Sequence, residues 1–433
     1  MHRTVKKGPC ATTQIGLLTG GDDKPYALGL TLGLVAEGIF VEFIGSDFTD
    51  APELHASCLV KYLNLRGSVE PRVSAARKLV RILTYYGRLL RYAAVTRAPI
   101  LHILWNNRFE LIDRTLLMLY YRLLGKKIVF TAHNVNAAKR DCRDSLVNRL
   151  SLRIQYRMSD HIFVHTEAMK SDLVSQFRVT PAKVSVIPFG INNVFARSQI
   201  SSEEAKKRFG VDADEKIVLF FGRIVPYKGL EHLVGAMAEI AARMGNVRLV
   251  IAGSIERGDP SYWEFVQREI ERTGVRERLI ENIEFIPDDQ VELYFKAADV
   301  LVLPYADIFQ SGLPFLAYSF GLPIIATDVG SMKEVIIEGK TGFVCKASDP
   351  SDLARHIEKY FASDLYENLG ARRQEIQNFA NENFSWAKVA DITRRVYGDL
   401  VREKGVRESS SAGVQNGVTG KNTLARLEQF ERP

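Results

Sequence analysis

Short apolar, β-branched runs alternate along the chain with amphipathic helical segments, in two consecutive series. Because strands that are apolar throughout are typical of parallel sheets covered by helices on both faces, each series predicts one doubly wound α/β domain. The first series has predicted strands at Gln14–Leu18, Phe40–Ile44, Ile100–Leu104, Lys127–Thr131, His161–Val164 and Val184–Ile187, with helices at Ala27–Ala36 and Leu111–Leu124. The second has strands at Lys216–Phe221, Arg248–Ala252, Ile283–Ile286, Val300–Leu303 and Pro323–Ala326.

The chain length supports the same division, since 433 residues exceed what one hydrophobic core usually organises. Turn-forming and polar residues at Phe189–Glu203 indicate the join. We therefore predict a first domain over residues 1–195 and a second over 196–385. A helix over 386–403 is expected to return to the first domain, and the Ser- and Gly-rich residues 404–433 are expected to be a disordered tail.

The composition is that of an ordinary globular protein, with 46% hydrophobic and 25% charged residues. Four widely spaced cysteines predict neither a disulfide framework nor a structural zinc site, and they favour a reducing compartment. The carboxylate pairs Asp22-Asp23 and Asp288-Asp289 are adjacent, so they diverge and predict no metal site. The basic N-terminus lacks the apolar run of a signal peptide, and no apolar stretch is long enough to span a membrane, so we expect a cytoplasmic protein.

Positive charge is concentrated in the first half, between Arg72 and Arg97 and between Lys126 and Arg157, within a net charge of +7. Such an excess favours nucleic acid, an anionic lipid surface or a phosphorylated ligand. Nucleic acid is the weakest of the three, because the chain has no aromatic-basic RNA-binding motif and no helix-turn-helix pattern.

The segment Arg72–Val95 has a helical period and two distinct faces. One face is basic and carries Arg77, Arg81, Arg88 and Arg91. The opposite face is apolar and carries Leu79, Ile82, Leu83, Tyr86, Leu89 and Leu90. A basic amphipathic helix can lie on an anionic membrane. The alternative is a helix packed on the core with a solvated arginine face, and the pattern leaves both open.

A candidate anion site lies in the second half, within FFGRIVPYKGLEHLVGAM (Phe220–Met237). An apolar strand there runs into a loop with Arg223 and Lys228, followed by a helix whose N-terminus adds partial positive charge. Guanidinium and ammonium groups pair with phosphate oxygens, so the segment suits a phosphorylated ligand. On spacing alone, two solvated loop cations are an equal alternative.

This segment resembles the GR-x4-KG signature of glycosyltransferase family 4. Three further stretches match that family in the right order: VSVIPFGIN (Val184–Asn192, with Phe189 where Asn is usual), IEFIPDDQVELYFKAADVLVLPY (Ile283–Tyr305) and GLPIIATDVGSMKEVIIEGKTGFV (Gly321–Val344). The similarity covers about Val184 to Trp386 well and the first half loosely.

The resemblance implies a GT-B fold, with an acceptor-side first domain and a second domain that binds a nucleotide-sugar such as a UDP- or GDP-sugar. It implies that Arg223 and Lys228, next to Gly222, hold the donor diphosphate, and that transfer retains the anomeric configuration without a metal or cofactor. The expected acceptor is a glycan or lipid-linked molecule of polysaccharide synthesis. A membrane-bound acceptor would place the protein on the inner face of the plasma membrane, with the basic helix against anionic lipid.

This sequence departs from the family pattern at one point. Most members carry two glutamates, eight residues apart, of which one faces the donor sugar and the other the ribose. The equivalent positions are Ile308 and Leu316, in PYADIFQSGLPFLAYSFG (Pro304–Gly321). Asp307 is a candidate for the sugar hydroxyls, with a helix cap as its alternative. The remaining donor-site candidates are the helix-opening residues and a substitute ribose contact: Gln310, Ser311, Gly312, Leu313 and Glu334.

The first half supplies the opposite wall of the expected cleft. Gly20 and Gly21 follow a strand and permit close approach of a phosphate or sugar, although a lone Gly-Gly is often only a turn. His133 ends the strand in VFTAHNVN and matches the family's strand-ending histidine, which contacts the donor sugar; the alternative is a structural histidine.

Two other function classes remain open at this point. The loss of the glutamate pair is compatible with a nucleotide-sugar-binding protein without turnover. Another GT-B enzyme, such as a nucleotide-sugar epimerase, would need additional acid and base residues in the cleft, and the sequence points to no such set.

Overall fold

The protein is described by a computed structural model over residues 13–20, 23–68, 74–140, 144–191, 198, 200–255 and 260–402. It forms two doubly wound α/β domains, as the alternating pattern predicts. The predicted disordered tail and Gly21 lie outside the described residues, as does most of the predicted interdomain join.

A seven-stranded parallel sheet forms the first domain, in the order β3-β2-β1-β4-β5-β6-β7. Its strands are β1 Gln14–Leu18, β2 Phe40–Gly45, β3 Val60–Asn64, β4 Ile100–Ile103, β5 Lys127–Thr131, β6 His161–Val164 and β7 Val184–Val186. Its helices are α1 Lys24–Ala36, α2 Pro52–His55, α3 Ala75–Val95, α4 Glu110–Ile112, α5 Met118–Leu123, α6 Ala137–Arg140, α7 Leu146–Met158 and α8 Glu167–Phe177; a π-helical turn, Asp113–Leu117, joins α4 to α5.

The second domain has a six-stranded parallel sheet in the order β10-β9-β8-β11-β12-β13. Its strands are β8 Lys216–Phe221, β9 Val247–Ala252, β10 Leu279–Asn282, β11 Val300–Leu303, β12 Ile324–Thr327 and β13 Gly342–Cys345. Its helices are α9 Ser202–Arg208, α10 Leu230–Ala241, α11 Ser261–Thr273, α12 Asp288–Ala297, α13 Leu313–Ser319, α14 Met332–Val335, α15 Pro350–Phe361, α16 Asp364–Glu367 and α17 Leu369–Phe384.

The predicted strand at Ile283–Ile286 is wrong. The edge strand β10 lies four residues earlier, where Leu279–Asn282 pairs with β9 from Leu249 to Ala252. The backbone N–H of Gly253 donates to the Asn282 carbonyl at 3.0 Å, which ends the pairing there. Ile283–Ile286 is therefore part of the loop that leads into α12. The position of the strand is set by its pairing with β9 and not by the apolar run.

A last helix over residues 386–402, here called α18, packs against the first domain rather than the second. Val389, Ala390, Tyr397 and Leu400 join the apolar cluster of β1, β2 and α1. Tyr397 Oη lies 2.6 Å from Nδ1 of His102 on β4, and both side chains are buried. The chain thus crosses between the domains twice, once before α9 and once between α17 and α18.

Both sheets have a topological switch point, where strands with diverging connections lie side by side. These points are β1 next to β4 in the first domain and β8 next to β11 in the second. In open parallel sheets, ligands bind outside the carboxyl ends of the strands at such points. The loops after β1, β8 and β11 carry the predicted residues Gly20, Arg223 and Asp307, so the topology selects most of the predicted site without reference to any motif; the loop after β4 adds Trp105, which was not predicted.

Candidate functional site

The loop after β8 holds two cations of different character. Arg223 is exposed, whereas Lys228 is only 9% exposed, at the end of a 3-10 turn, Pro226–Lys228. Within the described part of the chain, neither side chain has a hydrogen-bond or carboxylate partner, and the Lys228 backbone N–H donates to the Val225 carbonyl at 3.0 Å. Burial, and then the charge of nearby Arg223, lower the pKa of the Lys228 amine to about 7. A buried amine without an anion is poised to bind one.

Glycines on either side of this turn explain the loop's sequence. Gly222 has a φ of +104°, and a Cβ built there would lie 2.7 Å from Lys228 Nζ and 3.7 Å from a methyl carbon of Leu313. Gly229 has a φ of +63°, and a Cβ there would overlap the carbonyl oxygen of Pro304. Only residues without a side chain let the lysine, the start of α13 and the loop after β11 meet at this point.

The loop after β11 contacts Lys228 from the other side. Lys228 Nζ lies 5.8 Å from the ring centroid of buried Tyr305, whose hydroxyl is 3.3 Å from Ser311 Oγ. Ser311 Oγ also accepts the Leu313 N–H at 3.2 Å, so this side chain helps to open α13. Ser331 Oγ donates to Gln310 Oε1, which fixes the Gln310 side chain to the turn before α14.

The two positions that replace the usual glutamates are buried and apolar: Ile308 is 7% exposed and Leu316 is 6% exposed, both within the core of the second domain. Asp307 is exposed and lies six residues before α13, so it does not cap that helix. Gly312 is the residue that precedes α13, with no side-chain cap. The donor-side candidates Gly222, Lys228, Ser311, Gly312 and Leu313 therefore come together. Asp307 is exposed next to them, because the N–H of the preceding residue, Ala306, donates to the Tyr227 carbonyl at 2.9 Å.

Glu334 faces the first domain. Its side chain is exposed on the short helix α14, and its pKa is raised by partial burial and by the negative charge of Glu167 at the start of α8. The two carboxylates therefore lie near each other across the cleft, one from each domain. No described hydrogen bond fixes the Glu334 side chain.

The first-domain wall is an aromatic cluster around His133. The imidazole of His133 stacks on Trp105, with centroids 4.2 Å apart and planes at 3°, and Tyr26 meets its ring at 4.6 Å edge-on. His165 Nε2 lies 3.1 Å from His133 Nδ1. Burial and the neighbouring histidines hold the pKa of His133 well below its ordinary value. Gly20 is at the same edge, where its carbonyl accepts from Arg66 at 2.8 Å.

Phe189, at the position where the family has Asn, joins the two walls. Its ring stacks on Phe315 of α13 at 5.1 Å and contacts Tyr26 at 5.2 Å and His165 at 4.9 Å. A cavity of about 190 Å³ opens between the domains beside it, lined by residues of both walls: Asp23, Pro25, Tyr26, Phe189, Gly190, Gly312, Leu313, Leu316 and Trp386. The cavity is therefore lined by neighbours of both walls: Leu313, which lies beside Gly222, and Tyr26, which contacts His133.

Sequence reasoning missed Trp105, Tyr26 and His165. A usable signal existed for the histidine, because His133 and His165 each lie just beyond a predicted strand end. Conversely, the predicted basic residues Arg77, Arg81, Arg88 and Arg91 lie on α3, on the outer side of the first domain, and do not reach this cluster.

Among the described residues, no group of three His, Cys, Asp or Glu side chains is arranged to hold a metal ion.

Two Rossmann-like parallel domains with a ligand cleft between their carboxyl edges define the GT-B fold. Solved structures with this fold include sucrose-phosphate synthase of Thermosynechococcus elongatus, with a TM-score of 0.69 and 19% identity over 90% of this chain and 100% of that one. HepE of Anabaena, solved in complex with UDP, has a TM-score of 0.68 and 16% identity over 90% of this chain and 100% of that one.

The family model "Glycosyltransferase Family 4" matches residues 25–195, and the model "Glycosyl transferases group 1" matches residues 201–379. The two matches cover both domains, and the chain belongs to glycosyltransferase family 4, the group 1 glycosyltransferases.

Two curated relatives are 29% identical. One is an uncharacterized glycosyltransferase of Methanocaldococcus jannaschii, similar over 55% of this chain and 60% of its own length. The other is the D-inositol 3-phosphate glycosyltransferase of Corynebacterium diphtheriae, similar over 63% of this chain and 65% of its own length. The chain thus matches somewhat less than two thirds of each relative.

Proposed function

We propose that the protein transfers a sugar from a nucleotide-diphosphate sugar to a glycan or lipid-linked acceptor, with Arg223 and Lys228 binding the diphosphate. The observation that carries this proposal is the buried, unpartnered Lys228 beside exposed Arg223 at the switch point of the second sheet. An anionic diphosphate supplies the missing counter-charge, and the same contacts stabilise the charge on the departing nucleotide.

The test has two steps. A thermal-shift screen of nucleotide-sugars identifies the donor; UDP-glucose is the first to try, since a HepE structure contains it. Turnover of that donor is then measured for Arg223→Ala and for Arg276→Ala, an exposed arginine on the far side of the second domain. We expect a loss of roughly 100-fold or more for Arg223→Ala and none for Arg276→Ala. Equal turnover in the two variants contradicts the proposal.

We further propose that transfer retains the anomeric configuration and needs neither a metal nor a cofactor. Support comes from the two cations, which meet the diphosphate charge, and from the buried apolar side chains at 308 and 316, which offer no nucleophile. Front-face displacement assisted by the leaving phosphate fits this arrangement. An inverted product in the NMR spectrum, or activity lost with EDTA and restored by Mg²⁺, contradicts it.

A second candidate is a nucleotide-sugar-binding protein without turnover. The burial of Ile308 and Leu316 favours it, because no acid occupies the place of the usual pair. Asp307 and His133 are then the groups left to contact the sugar. Donor binding without transfer or hydrolysis, for every acceptor tried, supports this second function over the first.

The acceptor is proposed to be bound at a membrane, through a surface on three helices of the first domain. Helices α3 and α4 each follow a strand, and α7 follows β5 after the short helix α6, so all three begin on the cleft-edge side of the sheet. The exposed apolar residues of these helices and of the π-helical turn after α4, here called the apolar rim, are Leu79, Val80, Leu83, Leu111, Ile112, Leu116, Leu146, Val147 and Leu150. Of the apolar face predicted for α3, only Leu89 is buried; Ile82 and Tyr86 are half-buried, and Leu79, Leu83 and Leu90 are exposed.

The rim is flanked by the arginines of α3, and each of its nine members is at least 41% exposed. An apolar surface bordered by arginines matches the interface of an anionic bilayer. This arrangement would hold the protein on the inner face of the plasma membrane, with the cleft mouth next to a lipid-linked acceptor. Among the described helices, none is long and apolar enough to cross a bilayer.

Flotation tests this surface with two kinds of vesicle: phosphatidylcholine alone, and phosphatidylcholine with about 30% phosphatidylglycerol. We expect binding that needs the anionic lipid and is lost in Leu83→Ser/Leu116→Ser. The control is Phe285→Ser, which removes an aromatic residue that is 71% exposed in the second domain. Binding that is unchanged in the rim variant, or equal without anionic lipid, contradicts the membrane proposal.

A further inference from the structure

His133 and His165 are brought together by strand register. Strands β5 and β6 pair in parallel with Val129 opposite His161 and Thr131 opposite Phe163. The same offset of 32 residues continues past the strand ends, so residue 133 comes to lie opposite residue 165. The two rings therefore occupy neighbouring positions at the cleft edge, with a nitrogen-to-nitrogen distance of 3.1 Å.

The direction of the hydrogen bonds follows from a backbone carbonyl. Nδ1 of His165 lies 3.3 Å from the Ile187 carbonyl oxygen, which can only accept. A neutral His165 must therefore carry its proton on Nδ1, and its Nε2 is an acceptor. His133 must then donate from Nδ1, which leaves a lone pair on its own Nε2. Burial favours the neutral rings, and it lowers the pKa of His165 to about 4.

The lone pair on Nε2 of His133 has no partner in the part of the chain that the structure describes. Nε2 of His133 is buried and accepts no hydrogen bond from any described residue. The stack on Trp105 and the edge contact with Tyr26 prevent the ring from turning toward another donor. A buried acceptor is costly when it is unsatisfied, so this atom favours a ligand that brings a donor.

We propose that His165 is a positioning residue that holds His133 as the Nδ1–H tautomer, so that His133 Nε2 accepts a hydrogen bond from a hydroxyl of the bound sugar. This inference rests on the proposed function for the identity of the ligand. It makes the histidine pair a selector for a hydroxylated sugar: a deoxy position or an acceptor-only substituent at this place leaves the nitrogen unsatisfied.

The tautomer is measured without any ligand. In protein labelled with ¹⁵N-histidine at neutral pH, long-range proton–nitrogen NMR distinguishes the two neutral forms. We expect His133 to be protonated on Nδ1 in the native protein and in His165→Gln, whose amide oxygen still accepts. In His165→Phe, which has no acceptor, His133 loses this preference. A wild-type spectrum in which His133 is protonated on Nε2 overturns the proposal. This outcome does not depend on whether either variant folds.

Selectivity is measured with UDP-glucose and its monodeoxy analogues. The wild-type protein should discriminate against one analogue by roughly 10- to 100-fold in kcat/KM, the range expected for an unsatisfied buried acceptor. His165→Phe should reduce that ratio to near one, and His165→Gln should preserve it. His161→Gln, at the other end of β6, serves as the control. Unchanged discrimination in His165→Phe overturns the proposal. If no nucleotide-sugar is bound or turned over, the proposed function fails, while the NMR result still decides the tautomer.

Discussion

Lys228 is a residue whose charge depends on what it binds. In the free protein its pKa is about 7, so above pH 7 the amine is increasingly neutral. A bound diphosphate favours the ammonium form and raises the pKa. Donor binding above pH 7 therefore requires proton uptake, and we expect the affinity for a UDP-sugar to fall by up to about tenfold per pH unit between pH 7 and 9. Calorimetric titrations at several pH values measure this slope.

The control for this prediction is Lys228→Arg, because a guanidinium stays charged across the same range. Its affinity should be independent of pH above 7, whatever its absolute value. Lys228→Met should bind weakly at every pH. A slope that is the same in the wild-type and arginine proteins would assign the titration to another group.

Gly222 is predicted to be needed for the position of the Lys228 amine. A methyl group at residue 222 would meet Nζ at 2.7 Å and would hold an alanine at a φ of +104°. We expect Gly222→Ala to weaken donor binding roughly tenfold or more and to lower stability by about 1–2 kcal/mol. Gly245→Ala is the matched control, since residue 245 has open space around it. Equal donor affinities in the two variants would contradict this role.

The sequence predicted the residues of this site unevenly, for physical reasons. Arg223 and Lys228 were found because their loop is continuous in sequence and both ends are marked by glycine. His165 was missed because its role depends on a register between two strands, which no single segment encodes. Ser311 was predicted among the residues that open a helix, and its hydroxyl accepts the Leu313 N–H where α13 begins.

At the scale of elements, the buried strands were predicted best. Strands β1, β5, β6, β8 and β11 have the predicted bounds because their sequences are apolar apart from terminal residues and are buried almost throughout. Three of the four edge strands were not: β3 and β13 were missed and β10 was placed four residues late, whereas β7 was predicted to within one residue. Strands β3 (VKYLN) and β10 (LIEN) contain polar residues, so an apolar run is a poor guide to them.

Helix α3 shows a different limit of periodicity. The period correctly predicted a helix with a basic face, but it did not say which apolar residues pack. Tyr85, Leu89, Tyr92 and Ala93 are buried, whereas Leu79 and Leu83 are more than half exposed. The difference depends on where neighbouring helices end, and this is a property of the tertiary structure.

Helix α18 is predicted to stabilise the first domain, although it follows the second in sequence. Tyr397→Ala removes a fully buried ring and the hydroxyl that is hydrogen-bonded to Nδ1 of His102, whose Nε2 keeps the Thr131 hydroxyl as its partner. We expect a loss of about 3–5 kcal/mol, measured by denaturant unfolding. Arg395→Ala, on the exposed side of the same helix, should change stability by less than about 0.5 kcal/mol. Comparable losses in both variants would mean that the helix contributes through something other than its buried face.

For the whole molecule, Trp386 lies where the two chain crossings meet. Its indole N–H donates to the Ile191 carbonyl at 3.0 Å, and the Ile191 N–H donates to the Phe384 carbonyl at 2.8 Å. The ring also contacts Tyr26 at 5.1 Å. The indole therefore ties the first crossing, the second crossing and the histidine wall to one another.

We expect Trp386→Ala to loosen the relative placement of the domains and to lower kcat/KM roughly tenfold or more, because the cations and the histidine wall belong to different domains. Small-angle scattering should record a larger radius of gyration for the variant. Trp263→Ala, which removes a partly buried indole within the second domain, is the control. An unchanged scattering profile with normal kinetics would contradict a role for Trp386 in domain placement.

The return of α18 to the first domain also has a consequence for how the protein is made. On a ribosome the first domain emerges about 190 residues before the residues that complete its apolar cluster. At a synthesis rate of about 5–20 residues per second, that surface stays uncovered for on the order of ten seconds or more. His102 precedes its partner Tyr397 by 295 positions in the chain. We therefore expect chaperones that shield apolar surface to bind the nascent first domain. They would be released when α18 leaves the exit tunnel and covers that surface.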